Sequence, residues 1–266
     1  MADESMVRNL SAQAAAIWPQ ELAFIRRYEL PPSPRILDAG CGTGEIASRL
    51  ADLFPDSTVL GVDIVDHHLE LAQSRYASLA ARLRFEHQDV FALELPDDRF
   101  DLTVCRHVLH AVPHADRMIA ELARVTRPGG YLHLIPEDYG MLEFQANQGL
   151  DPRDFWYRVP AQFGSKTETD LFIGRDVFTI LTALGMEDIR VDYVVVDTVR
   201  TDRRTFAAIL EAWRDGYSES IGELTTVSRE TAIAYFDAMI ANILDPRGYA
   251  VWFVPVAGAR VPSTLK

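Results

Sequence analysis

The stretch RILDAGCGTGE at residues 35–45 decides how this chain is interpreted. A short apolar run, Ile36-Leu37, ends in Asp38, and three glycines follow at alternate positions, Gly40, Gly42 and Gly44. Beyond them, apolar residues return at helical spacing: Ile46, Ala47, Leu50, Ala51 and Leu53. This order predicts a buried strand, a tight glycine turn and a helix, which is the first β-α step of a doubly wound sheet. Glycines are needed in the turn because a Cβ would keep the backbone away from a ligand across the strand ends.

The charges around this turn indicate what kind of ligand it would hold. A dinucleotide fingerprint, G-x-G-x-x-G, would need its third glycine at position 45, where the chain has Glu45. A carboxylate in the first turn of the helix would repel a pyrophosphate docked there, and Asp38 adds a second negative charge. The turn therefore suits a cofactor with a cationic end and no phosphate, such as S-adenosylmethionine. A glycine turn that binds nothing is the structural alternative.

The D-x-G-x-G-x-G pattern of residues 38–44 resembles motif I of the class I S-adenosylmethionine-dependent methyltransferases. Two further stretches are similar to that family. One is V-L-H-A-V at 108–112, found most clearly in its quinone-biosynthesis and small-molecule members, and the other is R-P-G-G at 127–130. The resemblance covers residues 35–199 and resumes at the last predicted strand. It implies an α/β fold with a Rossmann-like, doubly wound, seven-stranded sheet whose last strand is antiparallel.

Acids at the ends of the next two predicted strands complete a cofactor site. Asp63 follows the glycine loop by about the twenty residues expected of a ribose-binding acid, although an acid at a strand end often caps a helix instead. The resemblance implies that Asp89 bonds the adenine amino group and that the Val90 backbone contacts the ring. The N-cap of a short turn is the alternative role for Asp89. The full set of cofactor-binding residues that the resemblance implies is Asp38, Gly40, Gly42, Gly44, Asp63, Ile64, Asp89, Val90, Cys105 and Arg106.

Histidines after the fourth predicted strand are the candidate catalytic residues. Imidazole titrates near neutrality, so His107 or His110 could accept a proton from a methyl acceptor or orient it. A half-buried structural histidine is the alternative for each. His107, His110 and His114 would align on one continuous helix and could then bind zinc, but Pro113 interrupts such a helix. Because no carboxylate or thiol completes an evident ligand set, the sequence predicts no metal site.

The chain is predicted to add helical insertions to this core. Residues 1–34 form an N-terminal helical cap of two short helices, broken at Pro19. The core occupies 35–199 and is interrupted at about 138–174 by an insertion rich in aromatic residues. A second helical insertion, 200–247, precedes the final strand and tail, 248–266. Both insertions start at the carboxyl rim of the predicted sheet, so we expect a lid over a small substrate. A dimer interface is the alternative, and both could hold.

The composition of the chain limits the classes of partner that it is expected to bind. A formal net charge of −13 argues against nucleic acid and against an anionic membrane surface. The first residues carry acids where a signal peptide has bases, and no apolar run reaches membrane-spanning length. Two cysteines, Cys41 and Cys105, do not make a disulfide framework. We therefore expect a cytoplasmic protein.

Together these features predict an enzyme that transfers the methyl group of S-adenosylmethionine to an oxygen or nitrogen of a small, partly apolar molecule. Two other functions stay open. The same fold can bind the cofactor while catalysing a cyclisation or rearrangement, or it can serve as a non-catalytic binding module. A homodimer is also possible.

Overall fold

The computed structural model describes residues 2–145 and 149–263, with Ala2 and Asp3 as backbone only. The chain forms two compact units. The sheet unit comprises Ala23–Pro136, Ile173–Asp192 and Pro255–Lys266, and the helical unit comprises Met1–Leu22, Glu137–Phe172 and Tyr193–Val254. Long elements such as the first helix and the last strand contribute residues to both units.

Eight strands and eight α-helices occur within the described residues. The strands are β1 Arg35–Ala39, β2 Thr58–Asp63, β3 Leu83–His87, β4 Phe100–Arg106, β5 Thr126–Ile135, β6 Leu142–Phe144, β7 Glu187–Asp197 and β8 Ala250–Arg260. The helices are α1 Ala2–Ile25, α2 Glu45–Leu53, α3 Asp66–Arg75, α4 Ala115–Val125, α5 Pro152–Thr167, α6 Val177–Ala183, α7 Arg203–Leu224 and α8 Arg229–Leu244. Their order, strands alternating with helices and then a helical pair, matches the predicted α/β class.

The strand order is β3-β2-β1-β4-β5-β8-β6, with β7 also paired to β8. Strands β1 to β5 pair in parallel, whereas β8 runs antiparallel to β5 and to β6. The order reverses between β1 and β4, which lie side by side with Ala39 opposite Cys105. Ligands of doubly wound sheets bind at such a switch point, outside the carboxyl ends of the strands. The predicted Rossmann-like doubly wound fold is confirmed.

The core of the sheet unit explains why these elements dock. All seven residues of β4 are buried, as expected of a central parallel strand covered on both faces. Helix α4 presents one apolar stripe to the sheet, and its members are fully buried: Met118, Ile119, Leu122 and Val125. Each such side chain contributes about 1.5–3 kcal/mol on leaving water, so the stripe fixes α4 beside the strands.

The prediction of two short N-terminal helices is wrong, because α1 is a single helix of 24 residues with Pro19 inside it. A proline in a helix interior costs about 3 kcal/mol, since it removes one backbone hydrogen bond and crowds the preceding turn. Buried apolar side chains on both sides of it, Ile17 and Ile25, offset that cost. Gln20 adds a tether, because its amide both donates to and accepts from the Val195 backbone, at 2.8 and 3.1 Å.

The sheet has one strand more than the seven predicted. The additional strand, β6, has only three residues and pairs with Ala250–Trp252 of β8, so its pattern is too short to stand out in the sequence. The R-P-G-G stretch at 127–130 lies inside β5 as an irregularity. Register jumps from Phe100 opposite Thr126 to Leu102 opposite Tyr131, and Gly129 absorbs the extra residues with φ +75°. Among the described residues, no helix combines the length and apolarity needed to cross a bilayer.

Candidate active site

The glycine loop connects β1 to α2 at the switch point of the sheet unit. Asp38 lies near the end of β1 and is 2% exposed. Gly40, Gly42 and Gly44 all have left-handed backbones, with φ of 75°, 52° and 79°. Side chains with a Cβ rarely adopt this region, so the alternation of glycines reflects the path of the backbone itself.

Asp63 at the end of β2 holds this loop from the neighbouring strand. One oxygen of its carboxylate accepts the amide of Gly42 at 2.7 Å, and the other accepts the amide of Val65 at 3.0 Å. A carboxylate offers about four acceptor positions, so two remain after these bonds. Asp63 therefore has a structural role that the sequence did not indicate, and it retains acceptor positions for the predicted bonds to ribose hydroxyls.

Four of the five backbone amides of residues 40–44 donate hydrogen bonds within the protein, including that of Gly42 to Asp63. The amides of Gly40 and Cys41 both donate to the Val62 carbonyl, at 2.8 and 2.9 Å, and the amide of Gly44 donates to the Cys41 carbonyl at 2.9 Å. Phosphate-binding loops instead point such amides at the ligand. The geometry therefore agrees with the prediction, made from Glu45, that this loop suits a cofactor without phosphate.

The electrostatic environment of the loop is negative. Burial raises the pKa of the Cys41 thiol well above its usual value, and the charges of Asp38 and Asp63 raise it further. Burial also raises the pKa of Cys105, and the charge of Asp38 adds to that effect. Both shifts place carboxylate charge beside the loop, where it favours a cationic ligand. The Glu45 carboxylate is bound by Arg75 at 2.7 Å, so it contributes less to this field than its position in the sequence suggests.

Two residues that the sequence analysis did not single out shape the loop. Val108 fills the space that a Cβ at Gly40 would need, and the Phe85 ring lies 2.7 Å from the position of a Cβ at Gly44. Both contacts are made across the sheet between residues far apart in the chain, so no local sequence signal identifies them. They add a steric requirement for glycine to the conformational one.

The candidate catalytic histidines follow β4 directly. His107 has a left-handed backbone, φ +58°, and its amide donates to the carbonyl of Ile135 at 2.9 Å. His110 lies in a turn of 3-10 helix, Leu109–Ala111, that starts after Val108. Both side chains are half-buried. Because Val108 between them contacts Gly40, the turn that carries both histidines lies against the glycine loop.

The three histidines do not share a helix. His114 also has a left-handed backbone, φ +54°, and precedes α4, so the i, i+3, i+7 alignment required for one face does not form. No group of three or more histidine, cysteine or acidic side chains suited to a metal ion occurs within residues 2–145 and 149–263.

The remaining predicted cofactor residues have different surroundings. Ile64, which follows Asp63, is 62% exposed, so it presents an apolar surface suited to an adenine ring. Asp89 is exposed and accepts the Phe91 amide at 2.9 Å, which is the local turn interaction considered as its alternative role. Val90 is partly buried against the hydrophobic core. None of these contacts excludes a ligand, and their binding roles remain predictions.

Cys105 and Arg106 end β4 beside the loop. The Cys105 side chain is fully buried in the hydrophobic core, which leaves only its backbone for a cofactor contact. Arg106 is 7% exposed. Their predicted binding roles also remain predictions, and for Cys105 the role is now confined to the main chain.

Comparison with known proteins covers the same part of the chain. Residues 36–130, from β1 into β5, match the family model described as "Methyltransferase domain". This part of the chain is therefore similar to a methyltransferase domain. The resemblance inferred from residues 38–44, 108–112 and 127–130 is thus confirmed over that segment. The methyltransferase domain contains all ten predicted cofactor residues and both candidate catalytic histidines.

Curated relatives match the same region. The 27-O-demethylrifamycin SV methyltransferase of Amycolatopsis mediterranei is 40% identical over 102 residues, which are 38% of this chain and 37% of the relative. The demethylmenaquinone methyltransferase of Deinococcus radiodurans is 35% identical over 107 residues, 40% of this chain and 44% of the relative. The match thus spans less than half the length of these relatives.

A solved structure extends the similarity beyond the methyltransferase domain. The [4+2]-cyclase SpnF is 25% identical, with a TM-score of 0.56, over 90% of this chain and 78% of its own. The similarity to this structure therefore includes segments outside residues 36–130. These names describe the relatives.

Proposed function

We propose that this chain is an S-adenosylmethionine-dependent methyltransferase acting on an oxygen or nitrogen of a small, partly apolar molecule. The observation that carries the proposal is the glycine loop. Four of the five amides of residues 40–44 donate within the protein, and the surroundings of the loop are acidic through Asp38 and Asp63. Such a loop suits a cationic, phosphate-free cofactor. The methyltransferase domain match supports the same reading.

The residues present fit this cofactor. Asp38 and the three glycines would lie along its methionine part, and Asp63 would accept bonds from the ribose. The exposed Ile64, together with Asp89 and Val90, would bind the adenine. The backbone of Cys105 and the buried Arg106 would complete the site beside the loop. When bound, the cofactor supplies a methyl carbon made electrophilic by the adjacent sulfonium.

His107 or His110 would accept the proton that the methyl acceptor loses. A hydroxyl or protonated amine must lose a proton to attack the methyl carbon, and a neutral imidazole can accept it. Their turn lies against Gly40 through Val108, and this proximity to the glycine loop supports the proposed role. The protein otherwise contributes alignment, which can lower the barrier by up to about 7–11 kcal/mol when reacting atoms are well placed.

The experiment measures S-adenosylhomocysteine formation by the purified chain with a panel of small hydroxylated and amino compounds. Single-turnover rates are then compared for His107→Ala and His110→Ala, with His67→Ala as the control. His67 lies on the exposed side of α3 with a side chain 56% exposed. Loss of the base should slow methyl transfer by about 10²–10⁴-fold. Unchanged rates in both test variants would remove histidine from the mechanism.

A second candidate function rests on the similarity to the SpnF cyclase, which extends over most of this chain. In that case the cofactor site would hold S-adenosylmethionine without consuming it. The discriminating observation is conversion of a substrate with no formation of S-adenosylhomocysteine. Methylated product formed in equal amount with S-adenosylhomocysteine would instead establish methyl transfer.

The remaining expectations concern partners and location. We propose a small-molecule acceptor, no nucleic-acid partner and a cytoplasmic location. The net charge of −13 supports the absence of a nucleic-acid partner. A homodimer formed through the apolar helices remains a proposal. Light scattering of the purified protein tests it, since a dimer would have twice the 29.9 kDa mass of the chain.

A further inference from the structure

A cleft of about 230 Å³ lies at the amino ends of strands β1 to β4 in the sheet unit. Arg35 and Thr58, the first residues of β1 and β2, line it together with Phe100, the first residue of β4. The glycine loop instead follows Ala39, the last residue of β1. Each strand residue adds about 3.3 Å, so Arg35 and Ala39 are about 13 Å apart. The cleft is therefore at the opposite edge of the sheet from the proposed cofactor site.

This cleft is positively charged, although the chain as a whole is acidic. Among the described residues, its charged lining consists of four arginines and one acid: Arg35, Arg82, Arg84, Arg99 and Glu86. In the whole chain, by contrast, 39 acidic residues outnumber 26 basic ones. Like charges held close together repel each other, and they do so more strongly at a protein surface than in bulk water. A bound anion would relieve this repulsion.

The register of the sheet brings three of these charged residues to one face. Arg35 is opposite Thr58, and Arg84 is opposite Leu60. Thr58 and Leu60 are two residues apart on β2, so they point to the same face of the sheet. Glu86 follows Arg84 by two residues and shares that face as well. Neighbouring strands are about 4.8 Å apart, so β1 and β3 are separated by about 10 Å, a gap that two arginine side chains and a small ligand can bridge.

The arginines that could bind this ligand have few carboxylate partners. Neither Arg84 nor Arg99 forms an ion pair in the part of the chain that the structure describes. The Arg99 guanidinium lies over the Phe100 ring, 5.3 Å from its centroid, which orients the charge without neutralising it. Arg35 Nε is 3.9 Å from the Asp101 carboxylate, to which another arginine binds at 2.5 Å. Charge-assisted hydrogen bonds are normally about 2.7–2.9 Å long, so the Arg35 contact is loose.

The fourth arginine is engaged elsewhere. The Arg82 guanidinium donates to the Ala51 carbonyl of α2 and lies 3.4 Å from the Asp52 carboxylate. The other three guanidinium charges, less the charge of Glu86, leave two positive charges in the cleft. A phosphate group carries about 1.5–2 negative charges at pH 7, and its oxygens match the planar fork of a guanidinium. A carboxylate has only one charge, so the cleft suits phosphate better.

We propose that Arg35, Arg84 and Arg99 bind a phosphate group, either free or carried by a small phosphorylated molecule. Glu86 opposes this binding and limits its affinity. Clefts that enclose drug-sized ligands occupy about 300–1,000 Å³, so this smaller cleft receives the phosphate group rather than a whole nucleotide. The inference does not rest on the proposed function, because the glycine loop lies at the other edge of the sheet.

The experiment is a calorimetric titration of the full chain in a buffer free of phosphate and sulfate, at constant ionic strength. The probes are inorganic phosphate, glycerol 3-phosphate and acetate. Phosphate should bind saturably at one site, and acetate should bind at least about tenfold more weakly. Arg84→Gln should weaken phosphate binding about tenfold, the scale of a charge-assisted hydrogen bond. Arg117→Gln removes the same charge from an exposed residue of α4 and should bind phosphate as wild type does.

A second variant shifts the affinity in the other direction. Glu86→Gln removes the opposing charge and should tighten phosphate binding several-fold, a result that damage to the fold does not produce. Unchanged or weaker phosphate binding in Glu86→Gln would overturn the proposal. So would equal weakening by Arg84→Gln and Arg117→Gln, or no saturable phosphate binding at millimolar concentration.

The remaining probes identify the source of the phosphate. Tighter binding of glycerol 3-phosphate than of inorganic phosphate supports an organic phosphate as the ligand, and equal binding supports the phosphate group alone. Vesicles of phosphatidylcholine with phosphatidic acid carry the same group on a membrane. Binding to these vesicles without binding of either soluble phosphate would contradict the proposal. S-adenosylmethionine is titrated separately, so its failure to bind while phosphate still binds counts against the proposed function alone.

Discussion

Val108 packs directly against Gly40, with its Cγ2 methyl in the space that a Cβ at position 40 would occupy. This contact joins the turn after β4 to the turn after β1, the two loops that meet where the strand order reverses. Gly40 is therefore required twice. Its φ of +75° disfavours any side chain, and the valine leaves no room for one.

The first prediction separates these two requirements. Gly40→Ala should be more destabilising than Gly129→Ala, because both glycines have φ +75° but a Cβ at Gly129 meets nothing closer than Arg127 Nη1 at 3.6 Å. The left-handed backbone should cost each alanine variant about 1–2 kcal/mol of folding stability, and overpacking against Val108 should cost Gly40→Ala a further 1–3 kcal/mol, roughly. Urea unfolding of the two variants measures the difference.

A double variant checks the cause. Val108→Ala in the Gly40→Ala background should recover part of the lost stability, whereas it should not help Gly129→Ala. Equal unfolding free energies for Gly40→Ala and Gly129→Ala would show that the contact with Val108 does not contribute to the loss of stability in Gly40→Ala.

The second prediction concerns alkaline pH. Burial, with the charge of Glu137, raises the pKa of Tyr217 to about 12, above the value of about 10 in an unfolded chain. The unfolded state then releases this proton first as pH rises. The contribution of Tyr217 to the free energy of unfolding is therefore fully present below about pH 10. It falls by up to about 2.7 kcal/mol as the pH rises to 12.

The measurement is the unfolding free energy at several pH values between 8 and 12. Tyr217→Phe should show a smaller loss over that interval than wild type, whatever its stability at pH 8. Tyr157→Phe changes a tyrosine that is 63% exposed and should follow wild type. A loss in Tyr217→Phe as large as in wild type would contradict the assignment.

The third prediction concerns the thiols. Burial raises the pKa of both Cys41 and Cys105, and the charge of Asp38 raises each further. Since the thiolate is the reactive form, both should react far more slowly with Ellman's reagent in the folded protein than in denaturant. Cys41→Ser isolates the slower Cys105, which is fully buried. Rapid reaction of the folded protein at neutral pH would contradict the buried, acidic surroundings of the loop.

Local patterns predicted the parts of the molecule that local chemistry determines. The first β-α step, the glycines of the loop and the two helices of the second insertion follow from periodicity and from backbone preferences. Helix α1 did not follow from the sequence, because Pro19 is a strong local breaker and only the burial of Ile17 and Ile25 outweighs it. Long-range packing decided that element.

The candidate site also combines features that the sequence predicted with contacts that only the fold creates. A ribose-binding role for Asp63 could be predicted from its spacing to the glycine loop, whereas the role of Asp89 was implied by the family resemblance alone, and both roles remain predictions. The bond from Gly42 to Asp63 could not be predicted, and neither could the contact between Val108 and Gly40, because each joins loops from different parts of the chain.

The central claim is that this glycine loop binds S-adenosylmethionine, and calorimetric titration with S-adenosylmethionine and then S-adenosylhomocysteine tests it most directly. The account predicts saturable binding of both. Asp63→Ala should weaken that binding by about 1.5–3 kcal/mol, because it removes a charge-assisted acceptor as well as the bond that holds Gly42. Absence of binding to either compound, or equal affinity in Asp63→Ala, would contradict the account.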